Sequence, residues 1–166
     1  GFYENIFNEI GYIFLYNNFF IFNNIDLSFI KFMSKKFEQI SIKSGFMKHN
    51  GGLLFRVISE KEYEFKTVIS KSHLNQSKIT HGGYIASIID AGSGTAARKI
   101  SNNIPCVTVS LDIKFIAPTK IYDEIKGFVK ILKKSKSMVF LICHLYSKKR
   151  IVASASGVWK MLKVNS

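Results

Sequence analysis

The spacing of apolar and polar residues predicts one long helix between two groups of strands. Residues 53–70, "LLFRVISEKEYEFKTVIS", alternate Tyr63, Phe65, Thr67 and Ile69 with mostly charged neighbours, and a period of two predicts a strand. Before them, the weak helical spacing between Met33 and Gly45 predicts a short leading helix, which the paired glycines of "HNGG" end.

Residues 82–100 have the helical period. Ile85, Ile88, Ile89 and Gly92 repeat at i, i+3, i+4 and i+7, so this face is expected to pack on a core. Asp90 stands in the middle of the segment, and acids are rarely buried without a partner or a task. The helix also carries small residues that would let a sheet approach it closely: Ala86, Ala91, Gly92, Gly94, Ala96 and Ala97.

Four strands are predicted after the helix, at 106–116, 122–133, 137–147 and 151–162. The first places Val107, Val109, Leu111, Ile113 and Phe115 on a buried face and Thr108, Ser110, Asp112 and Lys114 on a wetter one. Turn residues separate the strands at Pro118, "KKSKS" and "SKKR", so the last three strands form an antiparallel meander. The predicted fold is α+β, a curved antiparallel sheet wrapped around one central helix.

Composition limits the function classes. A chain of 166 residues with 47% hydrophobic residues holds one globular domain. Cys106 and Cys143 lack the spacing of a zinc site or a disulfide framework, which fits a reducing, cytoplasmic setting. The net charge of +13 indicates an anionic partner, such as nucleic acid, a membrane surface or a phosphorylated small molecule.

The first 32 residues differ in composition from the rest. They hold eight of the 15 Phe, six Asn, a single Lys and no Met, and Met33 follows them. We expect 1–32 to be a non-domain extension, upstream sequence read through in frame, and 33–166 to be the domain. An amphipathic or core-covering helix is the main alternative. A membrane span is disfavoured because only 16 uncharged residues separate Glu9 from Asp26, and these include asparagines.

The motif formed by Asn75, His81, Gly82, Gly83 and Asp90, followed by "VTVSLDIKFIAPTK", resembles the hotdog-fold acyl-CoA thioesterases of the PaaI-like and thioesterase superfamily member 2-like group. The resemblance runs from about residue 45 to 163. It implies hydrolysis of acyl-CoA thioesters by an oligomer of hotdog domains, with no metal or bound cofactor, since CoA is part of the substrate.

Physical chemistry supports catalytic roles for this motif. The helix start at Gly82 and Gly83 offers backbone N–H groups and a partial positive charge to an oxyanion. An apolar setting makes the Asp90 carboxylate a stronger base, which suits a general base or a nucleophile. The resemblance implies that His81 and Asn75 orient the catalytic groups. The alternatives are a packing turn at the glycines, a capping or core histidine, and a structural ion pair at Asp90.

The resemblance also implies residues that contact water and CoA. Thr108 matches a Ser or Thr position near the attacking water, although a structural role on its strand is an alternative. The segments "FIAPTK" and "KKSKS" match those that hold CoA, which implies Lys120, Lys133, Lys134, Lys136 and Ser137. The alternative for these lysines is a solvated basic turn.

Helix geometry predicts shared active sites. Gly82 and Asp90 are eight residues apart, which is about 12 Å along a helix, so one thioester carbonyl cannot meet both in one chain. Two helices antiparallel across a twofold axis would bring each glycine end to the other subunit's Asp90. We therefore expect a homodimer, or a dimer of dimers as a homotetramer.

Other functions remain as alternatives. A non-catalytic acyl-CoA-binding module has the same fold. Nucleic-acid binding is favoured by charge alone, because no strand face shows a platform of aromatic and basic residues. A hotdog dehydratase or hydratase would need Asp/His motifs that the sequence does not show.

Overall fold

A computed structural model describes residues 36–162 of the protein. Within this range the helices are α1 (Phe46–His49) and α2 (Gly82–Ile100), and a 3-10 turn spans Lys71–His73. The strands are β1 (Glu38–Ile40), β2 (Leu53–Val57), β3 (Glu62–Val68), β4 (Cys106–Phe115), β5 (Glu124–Lys134), β6 (Met138–Ser147) and β7 (Arg150–Met161). The predicted extension 1–32 and the predicted domain start at 33 lie outside the described residues.

The long helix has the predicted limits and the predicted buried face. Ile85, Ile88, Ile89 and Gly92 are all buried. Arg98 and Lys99 lie in the last turn, where positive charge is favourable to the helix dipole. None of the helices in residues 36–162 is long and apolar enough to cross a membrane.

In the described part of the chain, seven antiparallel strands form one sheet in the order β1-β2-β3-β5-β6-β7-β4, packed on α2. The predicted meander of the last three strands is confirmed, and so is the hotdog arrangement of a sheet around one helix. β4 lies at an edge of the sheet, although it follows the helix in sequence, and pairs with β7 among the described strands.

Glycines let the sheet approach the helix closely, as predicted. The Phe65 ring from β3 lies against both Gly92 of the helix and Gly127 of β5, and a Cβ at either glycine would overlap the ring. The Trp159 indole lies next to Gly94. Large side chains therefore fill spaces that these glycines leave.

The predicted leading helix is wrong within the described residues. Glu38–Ile40 is a strand that pairs with β2, with Glu38 opposite Phe55, and a helix forms only at Phe46–His49. Three apolar positions at Phe37, Ile40 and Ile42 are too few to specify a helix, whereas the edge of β2 offers hydrogen-bonding partners to an extended chain.

The predicted alternation in β3 fails at Glu64, which is 1% exposed although it lies on the outer face of the sheet. Arg56 on β2 is directly opposite and forms a salt bridge with it, with an Nε to Oε2 hydrogen bond of 2.6 Å. The Phe37 ring lies 4.5 Å from the Arg56 guanidinium and helps to cover the pair. A charged partner and the ring of Phe37, which precedes β1, thus permit a buried acid here.

The outer face also carries aromatic and basic side chains together, contrary to expectation. Phe128 and Phe140 are partly exposed on adjacent strands. Lys126 and Lys130 flank Phe128 two residues away on the same face. The expectation that strand faces lack such a combination is therefore wrong, and its signal in the sequence is the alternation of Lys126, Phe128 and Lys130 along β5. The absence of a nucleic-acid partner stays a prediction.

Candidate active site

Asn75 and the start of α2 form one half of the candidate site. The Asn75 Oδ1 accepts hydrogen bonds from the Ser77 N–H at 2.9 Å and the Ile79 N–H at 3.3 Å, and this local turn fixes the side chain. Its Nδ2 group has no acceptor among the described residues, so this donor is left for a ligand. Asn75 and Gly82 line the same cavity of about 390 Å³, whose other walls are mainly apolar and include Ile85, Phe115, Ile116, Pro118 and Val152.

His81 caps the helix. Its Nδ1 accepts a hydrogen bond from the Gly83 N–H at 2.8 Å, and its carbonyl accepts from the N–H groups of Tyr84 and Ile85. The expectation that Gly83 offers a free donor is therefore wrong, because the cap occupies it. Among residues 36–162, the Gly82 N–H has no hydrogen-bond acceptor, so one backbone donor at the helix start is left for a ligand.

A second histidine, which the sequence analysis missed, supports this half. The His73 ring stacks on Tyr84 with centroids 3.6 Å apart, and its backbone oxygen accepts the His81 N–H at 2.8 Å. Its Nδ1 accepts the Ser70 N–H at 3.0 Å, so Nε2 is the donor toward the Asn50 oxygen at 3.1 Å. Burial lowers the pKa of His73, and the Asn50 hydrogen bond opposes this shift. The signal in the sequence was a histidine two residues before Asn75.

Asp90 and Thr108 form the other half. The Thr108 hydroxyl donates to the Asp90 Oδ1 at 2.6 Å. The predicted alternation placed Thr108 on the same face as Ser110, but a β-bulge between them shifts the register. Thr108 is opposite the buried Trp159, whereas Ser110 is opposite Val158, so the bulge turns Thr108 to the helix side.

Asp90 is half-buried in the single chain rather than buried, and it does not line the cavity of Asn75 and Gly82. The helix separates Asp90 from Gly82 by about 12 Å. One chain therefore holds two incomplete halves. The first has the amide and backbone donors without an acid, and the second has the acid without these donors.

The predicted CoA-binding residues also divide between two ends of the sheet. Lys120 precedes β5, close to the helix start, because the backbone oxygen of the adjacent Thr119 accepts the Thr80 N–H at 2.9 Å. Lys133, Lys134, Lys136 and Ser137 lie at the far end of β5, which is about 33 Å long. Lys134 pairs with Val139 across β5 and β6, Val139 pairs with Trp159 on β7, and Trp159 pairs with Thr108 on β4. The far end of β5 is therefore the end of the sheet at which Thr108 contacts Asp90.

Further charged residues lie beside Lys120: Lys148 and Arg150, which the sequence analysis treated only as a turn, and Asp123, which it placed in a strand. The Asp123 Oδ2 accepts the Lys120 N–H at 2.9 Å, and its Oδ1 lies 3.3 Å from the Lys148 Nζ. The Lys120 N–H and the nearby Lys148 and Arg150 charges lower the pKa of the Asp123 carboxyl. The Arg150 guanidinium donates to the Pro118 oxygen at 2.7 Å. No group of three or more metal-binding side chains is found within 36–162.

Comparison with known proteins identifies the family. Residues 77–154 match the model of the Thioesterase superfamily. A "Putative esterase" of Pseudomonas aeruginosa is 33% identical over 94 residues, which cover 56% of this chain and 70% of the relative. The chain belongs to the thioesterase superfamily. Another superfamily relative, acyl-coenzyme A thioesterase 13 of Mus musculus, is 31% identical over 80 residues, which cover 48% of this chain and 57% of the relative.

Solved structures show the same fold. Thioesterase superfamily member 2 of zebrafish superimposes with a TM-score of 0.66 at 20% identity, covering 72% of this chain and 88% of that protein. A hypothetical thioesterase of Streptococcus pneumoniae, solved with coenzyme A, has a TM-score of 0.63 at 17% identity and covers 70% and 90% of the two chains. At this identity the likeness establishes the hotdog fold of the superfamily.

Proposed function

We propose that the protein hydrolyses acyl-CoA thioesters to a free carboxylic acid and CoA. The observation that supports the proposal is that one chain places two complementary sets of polar groups at different points of α2. A cavity with the Asn75 amide and the Gly82 N–H lies at one end of α2, and the Asp90–Thr108 pair lies further along it. Membership of the thioesterase superfamily and the likeness to an acyl-coenzyme A thioesterase support the reaction class.

The site is complete when two copies pair through β4. This edge strand exposes apolar side chains, including Val107 at 44% and Val109 at 56%, and a strand edge has free backbone groups for another strand. Antiparallel pairing about the middle of β4 brings Thr108 of one copy beside the last residues of β4 in the other. Phe115, the last residue of that strand, lines the same cavity as Gly82. Each site thus takes its donors from one copy and its acid from the other.

Asp90 acts on the thioester in one of two ways. As general base it accepts a proton from water, whose oxygen attacks the carbonyl carbon, and the tetrahedral intermediate collapses with release of the CoA thiolate, which is then protonated. As nucleophile it attacks the carbonyl carbon directly and expels the CoA thiolate, which takes up a proton, and water then hydrolyses the mixed anhydride to the free acid and the Asp90 carboxylate. In both routes the Gly82 N–H donates to the oxyanion, and Thr108 holds the Asp90 carboxylate in place.

The remaining predicted residues have supporting roles. The Asn75 amide positions the carbonyl or the water, and His81 fixes the helix start through its bond with Gly83. Lys120 contacts CoA from one copy, while Lys133, Lys134, Lys136 and Ser137 reach it from the other, because they lie at the Asp90 end of the sheet. The free thiols of Cys106 and Cys143 agree with a cytoplasmic location.

A hydrolysis screen of the full chain tests the proposal. Aryl, short, medium and long acyl-CoA esters are offered to the wild type and to Asp90→Asn, and released thiol is measured. We expect turnover of at least one class, and a loss in kcat of about a hundredfold or more in the variant with CoA binding unchanged. Wild-type turnover by Asp90→Asn contradicts the mechanism. Binding of CoA thioesters with no cleavage of any class indicates the non-catalytic module instead.

A further inference from the structure

The turn between β6 and β7 places lysines where such turns avoid them. Ser147 and Arg150 pair across the hairpin, and the two residues between them, Lys148 and Lys149, both have left-handed backbones, with φ of 48° and 67°. Asn and Gly are favoured in this kind of turn, because a Cβ crowds the backbone at positive φ. Strain of this kind is common at functional sites, so the two lysines call for a functional reason.

The same turn borders a positively charged cavity. Lys120, Lys148 and Arg150 line a space of about 570 Å³ together with Asp123, Pro118 and Ser147. The Asp123 side chain is 16% exposed, and it already binds the Lys120 N–H and the Lys148 ammonium. Three cations against one carboxylate leave a net charge of +2 in this cavity. An anionic ligand is therefore favoured here.

This cavity adjoins the apolar cavity of the candidate active site. Pro118 lines both, and the Arg150 guanidinium donates to the Pro118 oxygen at 2.7 Å. Phe115, which lines the apolar cavity with Gly82, is five residues from Lys120, so the connecting chain spans at most about 18 Å. A ligand with an acyl group at Gly82 and an anionic end beyond a flexible arm fits the two cavities together.

We propose that Lys148 and Arg150 extend the CoA contact of Lys120 into a subsite for the phosphate groups of the CoA thioester, on the protomer that supplies Asn75 and Gly82. The identity of the ligand rests on the proposed function. The planar guanidinium of Arg150 offers paired donors to a phosphate, and the lysines add mobile point charges. Lys148 is suited to this role because its side chain is 85% exposed and can leave Asp123 for a phosphate.

The test uses a variant that improves the turn while it removes the charge. Lys148→Asn with Lys149→Gly gives the residue pair that a two-residue turn of this geometry prefers, so Tm is expected to rise by a few degrees. The matched control, Lys48→Gln with Lys61→Gln, removes two lysines from exposed positions in α1 and the β2–β3 turn. Lys120→Gln is a further variant that leaves the turn unchanged.

Calorimetry on the full chain measures the dissociation constants for CoA, 3′-dephospho-CoA and pantetheine, which carry decreasing numbers of phosphate groups. We expect the turn variant to bind CoA about tenfold more weakly and Lys120→Gln several-fold more weakly. Pantetheine binding is expected to stay the same in both, and the control is expected to match the wild type for all three. If the variants weaken CoA binding but not 3′-dephospho-CoA binding, the cavity contacts the 3′-phosphate. If they weaken both equally, the cavity contacts the pyrophosphate.

A turn variant that is folded and binds CoA like the wild type overturns the proposal. An equal loss for CoA and pantetheine also overturns it, because the turn would then act through structure. The calorimetric result does not depend on turnover. Weakened CoA binding in a protein that cleaves no thioester supports the subsite and rejects the thioesterase, whereas normal turnover with unchanged CoA binding does the reverse.

Discussion

The hydroxyl of Thr108 donates a hydrogen bond of 2.6 Å to the Asp90 Oδ1, and this contact joins strand β4 to the middle of α2. A hydrogen bond to a charged acceptor is worth about 1.5–3 kcal/mol. We expect Thr108→Val, which keeps the side-chain shape, to lower kcat about tenfold or more because Asp90 is no longer held. Thr108→Ser keeps the hydroxyl and should stay within a few-fold of the wild type. Equal kinetics for Val and Ser in a steady-state assay would show that the contact is structural.

Mixed dimers test whether the two halves meet between copies. His81 has φ −63° and ψ 132°, which suits a residue before proline, so Gly82→Pro removes the free N–H at a helix position that tolerates proline. Gly82→Pro and Asp90→Asn should each be nearly inactive alone. Random co-assembly should restore about a quarter of wild-type activity, because half the dimers are mixed and half their sites are intact.

The control for this experiment is Gly82→Ala, which keeps the N–H. A Cβ at this position would lie 3.6 Å from the Phe115 ring, an ordinary contact, so this variant should fold and keep most activity. Purified mixed dimers with two different tags that remain as inactive as the parents would show that Gly82 and Asp90 do not meet across an interface.

The lysines at the far end of β5 are predicted to act on CoA in the partner's site. Replacing Lys133, Lys134 and Lys136 together by Ala should raise KM for acyl-CoA and flatten its dependence on salt, with little change in kcat, since exposed charges act on a polyanion through a screened field. KM measured at several salt concentrations checks this, with Lys61→Gln as a single-charge control. An unchanged salt response places CoA elsewhere.

Because His73 is buried, we expect the free energy of unfolding to decrease in mild acid. Burial lowers its pKa in the folded state, so the unfolded chain takes up the proton first. The stability that the neutral His73 contributes is complete above the unfolded pKa of about 6.5, and it is lost as the pH falls below that value. Protonation would also break the acceptor bond from the Ser70 N–H. Tm measured from pH 7.5 to 5 should fall more in the wild type than in His73→Gln.

The exposed His49 supplies the control for this titration, because His49→Gln should keep the wild-type dependence of Tm on pH. If His73→Gln and the wild type lose Tm equally between pH 7.5 and 5, another group is responsible for the acid sensitivity.

The local periodicity of the sequence predicted most of the fold. The repeat of Ile85, Ile88, Ile89 and Gly92 was sufficient to define α2, because the period of a helix is set by its own hydrogen bonds. The strands after it were recognisable from alternation and turn residues for the same local reason. The motif that contains Asn75, His81 and Asp90 also indicated the family, which the comparisons confirm.

Contacts between distant segments decided the rest. The bulge that turns Thr108 toward Asp90 depends on the register of β4 against β7, and the burial of Glu64 depends on Arg56 across a strand pair. The cap that occupies the Gly83 N–H and the cavity shared by Lys120 and Arg150 also arise only after folding. The sequence by itself determined which residues form helix and strands, since those patterns are local. Only the tertiary structure decided which polar groups are satisfied and which are left free, because pairing brings together residues that no sequence spacing relates.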